Sequence, residues 1–128
     1  VRRKPLTPEK LEKLKRRLEA GMYKAPVYVY FYLNLEEKTL KDEYEDLELL
    51  FGVQSVAAAV ENMVLAAWSM GIGSCWLGVP LFMEEEFNKL VGVGEGKRLM
   101  GILALGKPAQ HTAPKPRREL SEVLRFVK

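Results

Sequence analysis

The sequence predicts an α+β domain, layered in the α/β manner, in which a small sheet is covered by helices. Three observations carry this. Val27-Tyr28-Val29-Tyr30-Phe31-Tyr32-Leu33 is β-branched and aromatic almost throughout, and reads as a strand. Leu99-Met100-Gly101-Ile102-Leu103-Ala104-Leu105 reads as a second, buried strand. Between them, an alanine-rich stretch from Val53 to Met70 carries apolar residues on broad helical faces. The order helix, strand, long helix, glycine loop, helix, strand, basic tail suits stacked layers.

The first helix opens at Thr7-Pro8-Glu9. Thr7 can cap, Pro8 suits the first helical position and Glu9 meets the positive helix end. Leu11, Leu14, Leu18 and Met22 then form one apolar stripe, opposite a face rich in Lys and Arg that reads as solvated. Ala25-Pro26 ends it. The first strand is apolar or amphipathic on both faces, so cover on both sides is expected. Its tyrosines Tyr28, Tyr30 and Tyr32 share one face and are expected to pack against helices. Residues 34–48 read as an acidic loop running into the long helix. That helix is apolar nearly all round, through Val56, Ala57, Val60, Val64, Ala67 and Trp68, and must bury itself in a core or against a partner. So short a chain has few elements to surround it, which predicts a second subunit. Gly71 to Pro80 reads as a glycine-rich loop or short strand. Glu84 to Val91 reads as a short helix. Gly92, Gly94 and Gly96 precede a strand rather than a helix, so they read as a turn and not a phosphate loop. Residues 107–119 read as an extended tail, and Leu120 to Val127 as a last short helix.

The chain has 128 residues, 48% hydrophobic and 29% charged, which fits one globular domain over 1–128. A net charge of +3 is too small to argue for nucleic acid. The longest apolar stretch is interrupted by Gln54, Ser55, Glu61, Asn62 and Ser69, so no membrane partner is expected. A single cysteine, Cys75, allows no internal disulfide, and the charged N-terminus lacks a signal-like segment; a cytoplasmic location is expected.

Protein-based catalytic sets are missing. His111 is the one histidine and lies in a proline-rich stretch; with Cys75 far from it, no metal site is expected. Glu84, Glu85 and Glu86 are better explained by the helix dipole than by acid–base work. Cys75, between a glycine turn and a tryptophan, is expected to be packed. This inventory favours a borrowed cofactor. Two segments suit one. The glycine loop at Gly71 to Pro80 can bring backbone N–H groups close to a flat ring. Lys115-Pro116-Arg117-Arg118 offers extended cations of the kind that hold phosphate.

These residues resemble a known family. Residues 61–78, ENMVLAAWSMGIGSCWLG, look like the long central helix and following loop of nitroreductases. Leu103-Ala104-Leu105-Gly106-Lys107-Pro108 resembles the strand and turn that come next, and residues 113–120 the basic segment before the last element. Lys24-Ala25-Pro26-Val27-Tyr28-Val29 is similar to the entry into a core strand. The resemblance implies a nitroreductase-like sheet flanked by helices with a long central buried helix. It further implies FMN at a homodimer interface, NAD(P)H as co-substrate, and a nitro-aromatic, quinone or similar small-molecule electron acceptor. Carried over by position, Trp76, Leu77, Gly78 and Val79 would lie against the flavin, with the N–H of Gly78 toward N5. Lys115 and Arg117, with Arg118 as the alternative, would meet its phosphate.

The family's N-terminal arginine contact, and its loop with Asn, Gln and Pro at the flavin edge, have no counterpart here. Arg2-Arg3-Lys4 stands directly before a helix that matches a later element. The resemblance therefore implies a domain shortened at its N-terminus relative to the family, or one whose missing half a separate chain supplies, or one that has lost the family's mode of FMN binding. The competing expectation is a non-catalytic dimeric binding or assembly module that holds no flavin.

Overall fold

The computed structural model describes residues 6–21, 24–110 and 113–127. The elements in chain order are α1 (Pro8–Glu19), β1 (Val27–Asn34), a 3-10 turn (Asp42–Tyr44), α2 (Glu45–Ser69), β2 (Gly73–Leu77), a second 3-10 turn (Val79–Met83), α3 (Glu84–Val91), β3 (Lys97–Gly106) and α4 (Leu120–Val123). Arg2, Arg3, Lys4, Met22 and His111 fall outside the described residues.

The sheet is antiparallel, in the order β1-β3-β2. β3 is the central strand and the most apolar, which is why Leu99, Ile102 and Leu103 are nearly or wholly buried. Opposed residues on neighbouring strands share a face. Tyr30, Ile102 and Leu77 therefore face one way, and Val29, Leu103 and Trp76 the other. The first face packs under Leu81 and Phe87, from the second 3-10 turn and α3. The second face receives α2, which touches all three strands. The result is three layers, as the α+β expectation required.

β1 departs from expectation in one respect. It is an edge strand, and Val27 and Tyr28 are exposed rather than covered on both sides. The tyrosines do pack as expected where helices are available: Tyr30 lies 6.3 Å from Phe87, ring to ring. Tyr28 instead accepts the Ala25 N–H at 2.8 Å through its hydroxyl.

α2 is longer than the sequence pattern indicates. It begins at Glu45, because Glu45, Asp46 and Glu48 in its first turn suit the positive helix end. Val56, Val60, Val64 and Ala67 form the stripe seated on the sheet, but only Val60 and Ala67 are fully buried. At Gly52 a side chain would collide with Leu33, so glycine lets α2 approach β1 closely. The other faces expose Leu47, Leu50, Phe51, Leu65, Trp68 and Met70. By length and composition the segment Asp42–Ser69 is apolar enough to cross a membrane, with a hydropathy of 1.6. Only 6% of that window is buried within the chain, and the helix touches all three strands.

Gly92 caps α3 in the left-handed conformation (φ 70°), and the Val93 N–H returns to the Asn88 carbonyl at 2.9 Å, so the glycine run is a helix end and turn. The last helix is shorter than expected. It stops at Val123, and Leu124 is extended (ψ 133°).

Candidate functional site: the β2 turn and the basic tail

The turn after β2 is built in a few steps. α2 ends when Gly71 takes a left-handed conformation (φ 73°), and the Ile72 N–H donates to the Ala67 carbonyl at 2.9 Å. The chain then enters β2 beside β3, and alternation sends consecutive side chains to opposite faces. Leu77 enters the core beside Ile102. Trp76 takes the α2 face, remains partly exposed, and lies with its ring 6.4 Å from that of Phe31, tilted by 51°.

Gly78 follows, with φ −88° and ψ −18°, and its carbonyl accepts the Leu81 N–H at 3.1 Å. Pro80 supports the turn from inside and is buried, while Val79 is half-buried. The conformation at Gly78 is one that any residue adopts. No described atom lies within 4 Å of where a β-carbon would stand. Nothing within the described chain therefore demands glycine here, and the backbone lies open to close approach. That opening fits a flat ring, as a flavin would require.

Lys115, Arg117 and Arg118 are exposed on an extended stretch, and no ion pair engages them among the described residues. Their chemistry fits a phosphate. Of the predicted site residues, the fold brings Trp76, Leu77, Gly78 and Val79 together at one sheet edge. The tail cations stay exposed, and α4, which follows them, takes part in none of the principal contacts between described elements.

The sequence reading missed the role of Glu84. Its carboxylate accepts the Leu99 N–H at 2.7 Å. Leu99 sits at a bulge, where β1 pairing passes from Phe31–Gly101 to Tyr32–Leu99. A bulge disrupts the ladder, and Glu84 ties the start of α3 to the strand there. No sequence signal separates Glu84 from Glu85 and Glu86. Close by, the Tyr32 hydroxyl and Asn88 Oδ1 are buried with no hydrogen-bond partner among the described residues. Burial, then the nearby Tyr30 and Glu84, push the Tyr32 phenol above its ordinary value of 10.0. Cys75 is exposed rather than packed, although alternation puts it on the same face of edge strand β2 as Leu77. Among the described residues no cluster of side chains is arranged to hold a metal.

The helix-covered antiparallel sheet is the fold of solved nitroreductase-like proteins. The chain belongs to the Nitroreductase family, whose model matches residues 2–107. The nitroreductase CinD from Lactococcus lactis, solved in complex with nicotinic acid, has the same fold: TM-score 0.78 at 18% identity, over 97% of this chain and 68% of that one. The CR(VI) reductase of Pseudomonas sp. (strain G-1) is 36% identical over 76 residues, which is 59% of this chain and 31% of that protein. The NADPH-flavin oxidoreductase of Vibrio harveyi is 32% identical over 75 residues, 59% of this chain and 31% of its own length. The chain thus spans about a third of the length of these two relatives.

Proposed function

We propose that this chain is the flavin-contacting part of an FMN-dependent oxidoreductase that uses NAD(P)H to reduce nitro-aromatics, quinones or similar acceptors. The observation that carries this reading is the open backbone at Gly78, in a conformation that needs no glycine, with unfilled space above it. Bound FMN would supply the hydride acceptance and electron transfer that this chain's side chains cannot. The Gly78 N–H gives a fixed dipole for the N5 region of the ring. Trp76 and Val79 border the ring. Leu77 serves through its backbone, because its side chain holds the core. Lys115 and Arg117, or Arg118 in place of Arg117, neutralise the phosphate. Names of relatives support the class: one is a NADPH-flavin oxidoreductase and another a CR(VI) reductase.

The functional unit is a homodimer formed through α2. The support is the amount of apolar surface that α2 leaves exposed, with Leu65 and Trp68 each 58% accessible.

One observation favours a second reading, a dimeric binding module without flavin. The tail cations expected at the phosphate stand exposed, and the helix that follows them makes none of the principal contacts between described elements. The experiment is to titrate the purified protein with FMN and then add NAD(P)H anaerobically. Flavin absorbance that follows the protein through gel filtration, and bleaches on reduction, is expected. A colourless protein that takes up no FMN establishes the module instead.

A further inference from the structure

Two complementary surfaces are left unpaired by the fold. One is α1. Leu11 and Leu14 lie on one side of it and are only half-buried. Helical spacing places Lys10 and Arg17 along one margin of that side. Lys15 is at the other margin and bonds Glu12 at 3.3 Å. Pro8–Glu19 holds five basic residues against three acidic ones. Among the described elements, α1 takes part in none of the principal packing contacts.

The other surface lies beyond the far end of β1. A cavity of about 550 Å³ opens between the end of β1, the acidic loop and the start of α2. Leu33, Leu40, Leu49 and Phe51 give it apolar lining, and its charged residues are four acidic ones, Glu37, Glu45, Asp46 and Glu48, against Lys38 and Arg98. Residues 35–49 hold seven acidic side chains against two basic ones. Some of that charge is already engaged. Lys38 pairs with Asp42 at 2.9 Å and with Glu45 at 3.6 Å. Glu48 accepts the N–H groups of Thr39 and Leu40. Glu37 and Asp46 have no ion-pair partner among the described residues.

We propose that α1 of one chain docks into this cavity on a second copy. Leu11 and Leu14 meet the apolar lining, and Lys10 and Arg17 meet Glu37 and Asp46. An amphipathic helix in an apolar groove that carries the opposite charge is a common recognition mode. The chain does not serve its own cavity. The eight residues of β1 put about 25 Å between the connection to α1 and the cavity. No residue of α1 lines the cavity of its own chain. The contact does not depend on flavin.

The test uses site-directed crosslinking in the full chain with Cys75→Ser as background. Leu14→Cys is placed in one preparation and Phe51→Cys in another, and the two are mixed under mild oxidation. A mixed disulfide of twice the 14.6 kDa chain mass is expected. Glu37→Lys with Asp46→Lys in the acceptor should lower its yield about tenfold. Lys10→Glu with Arg17→Glu in the donor should then restore the yield with that reversed acceptor, which a misfolded acceptor could not do. Two outcomes overturn the proposal: no mixed species, or a yield indifferent to charge reversal.

Discussion

The indole of Trp76 occupies the space that a β-carbon on Gly101 would fill. Gly101 sits at φ +152°, next to the bulge of β3, where side chains are rarely tolerated. The glycine therefore does two things. It accepts the backbone conformation, and it lets β2 lay its tryptophan flat across the central strand. The start of the candidate flavin turn is thus fixed by a contact between two strands.

Gly101→Ala should accordingly destabilise the fold by about 1–3 kcal/mol, the usual cost of overpacking. Trp76→Leu in the same chain should recover part of the loss, because the overlap goes with the indole. Urea unfolding of both single variants and the double variant reads this as a coupling energy. Additive losses would mean that backbone conformation alone, and not the indole, requires glycine at 101.

The Tyr32 phenol is pushed above its ordinary value of 10.0 by burial and then by the nearby Tyr30 and Glu84, and its hydroxyl has no hydrogen-bond partner among the described residues. The folded state thus favours the neutral phenol. Its contribution is fully present below the unfolded value and is lost as pH rises through the higher folded value. Ultraviolet titration should find one tyrosine ionising later than the rest. Tyr32→Phe should remove that late step and flatten the alkaline loss of stability. It should cost little at neutral pH, since no hydrogen bond is given up.

Ala58 and Ala59 are exposed on α2. In a monomer a glutamate there remains in water and changes little. In a dimer formed through α2 it becomes a buried, unpaired charge, costing about 3–5 kcal/mol. Ala58→Glu or Ala59→Glu should shift the protein to monomer by light scattering while the far-ultraviolet dichroism stays unchanged. A monomeric unmodified protein would defeat the idea at the outset.

Much of this architecture was legible in the sequence because local signals agreed. Val27–Leu33 and Leu99–Leu105 are β-branched or aliphatic runs, and both became strands. Glu84–Val91 has an acidic start and a glycine stop, and became α3 with those bounds. The N-terminal limit of α2 was not legible, because Glu45 to Glu48 resemble a polar loop until a helix dipole is there to favour them. The position of β1 at the edge was not legible either, since strand order is decided by pairing across the chain. The same holds for the site. Gly78 stands out as a glycine in a turn, but only coordinates separate it, open and unstrained, from Gly101, which its own neighbours require. The Glu84–Leu99 hydrogen bond depends on a bulge, and no single-sequence signal announces one.

The tail prediction turns on phosphate. Charge-assisted contacts are worth roughly 1.5–3 kcal/mol each. Lys115→Ala with Arg117→Ala should therefore weaken FMN binding by about one to several powers of ten. Riboflavin, which lacks the phosphate, should lose far less. Since the tail is exposed, the double variant should unfold at the same urea concentration as the parent. Equal losses for FMN and riboflavin would assign the tail to packing rather than to phosphate.

Gly78→Val is the sharpest test of the turn. Gly78 has an ordinary conformation and open space at its β-carbon position, so valine meets no described atom within 4 Å. The fold should survive, and circular dichroism with urea unfolding should match the parent. What valine fills is the space through which a flat ring would reach the backbone. A ring held away from the Gly78 N–H loses a preorganised donor where reduction places charge, and removal of one such donor typically costs about 10²–10³ in rate. Stopped-flow reduction of bound FMN by NAD(P)H should slow accordingly, or FMN binding should fall first. Cys75→Ser is the control, because the thiol is exposed and has no assigned step; it should keep most of the rate. A normal rate in Gly78→Val together with a dead Cys75→Ser would move the chemistry from the backbone of this turn to the thiol on the strand before it.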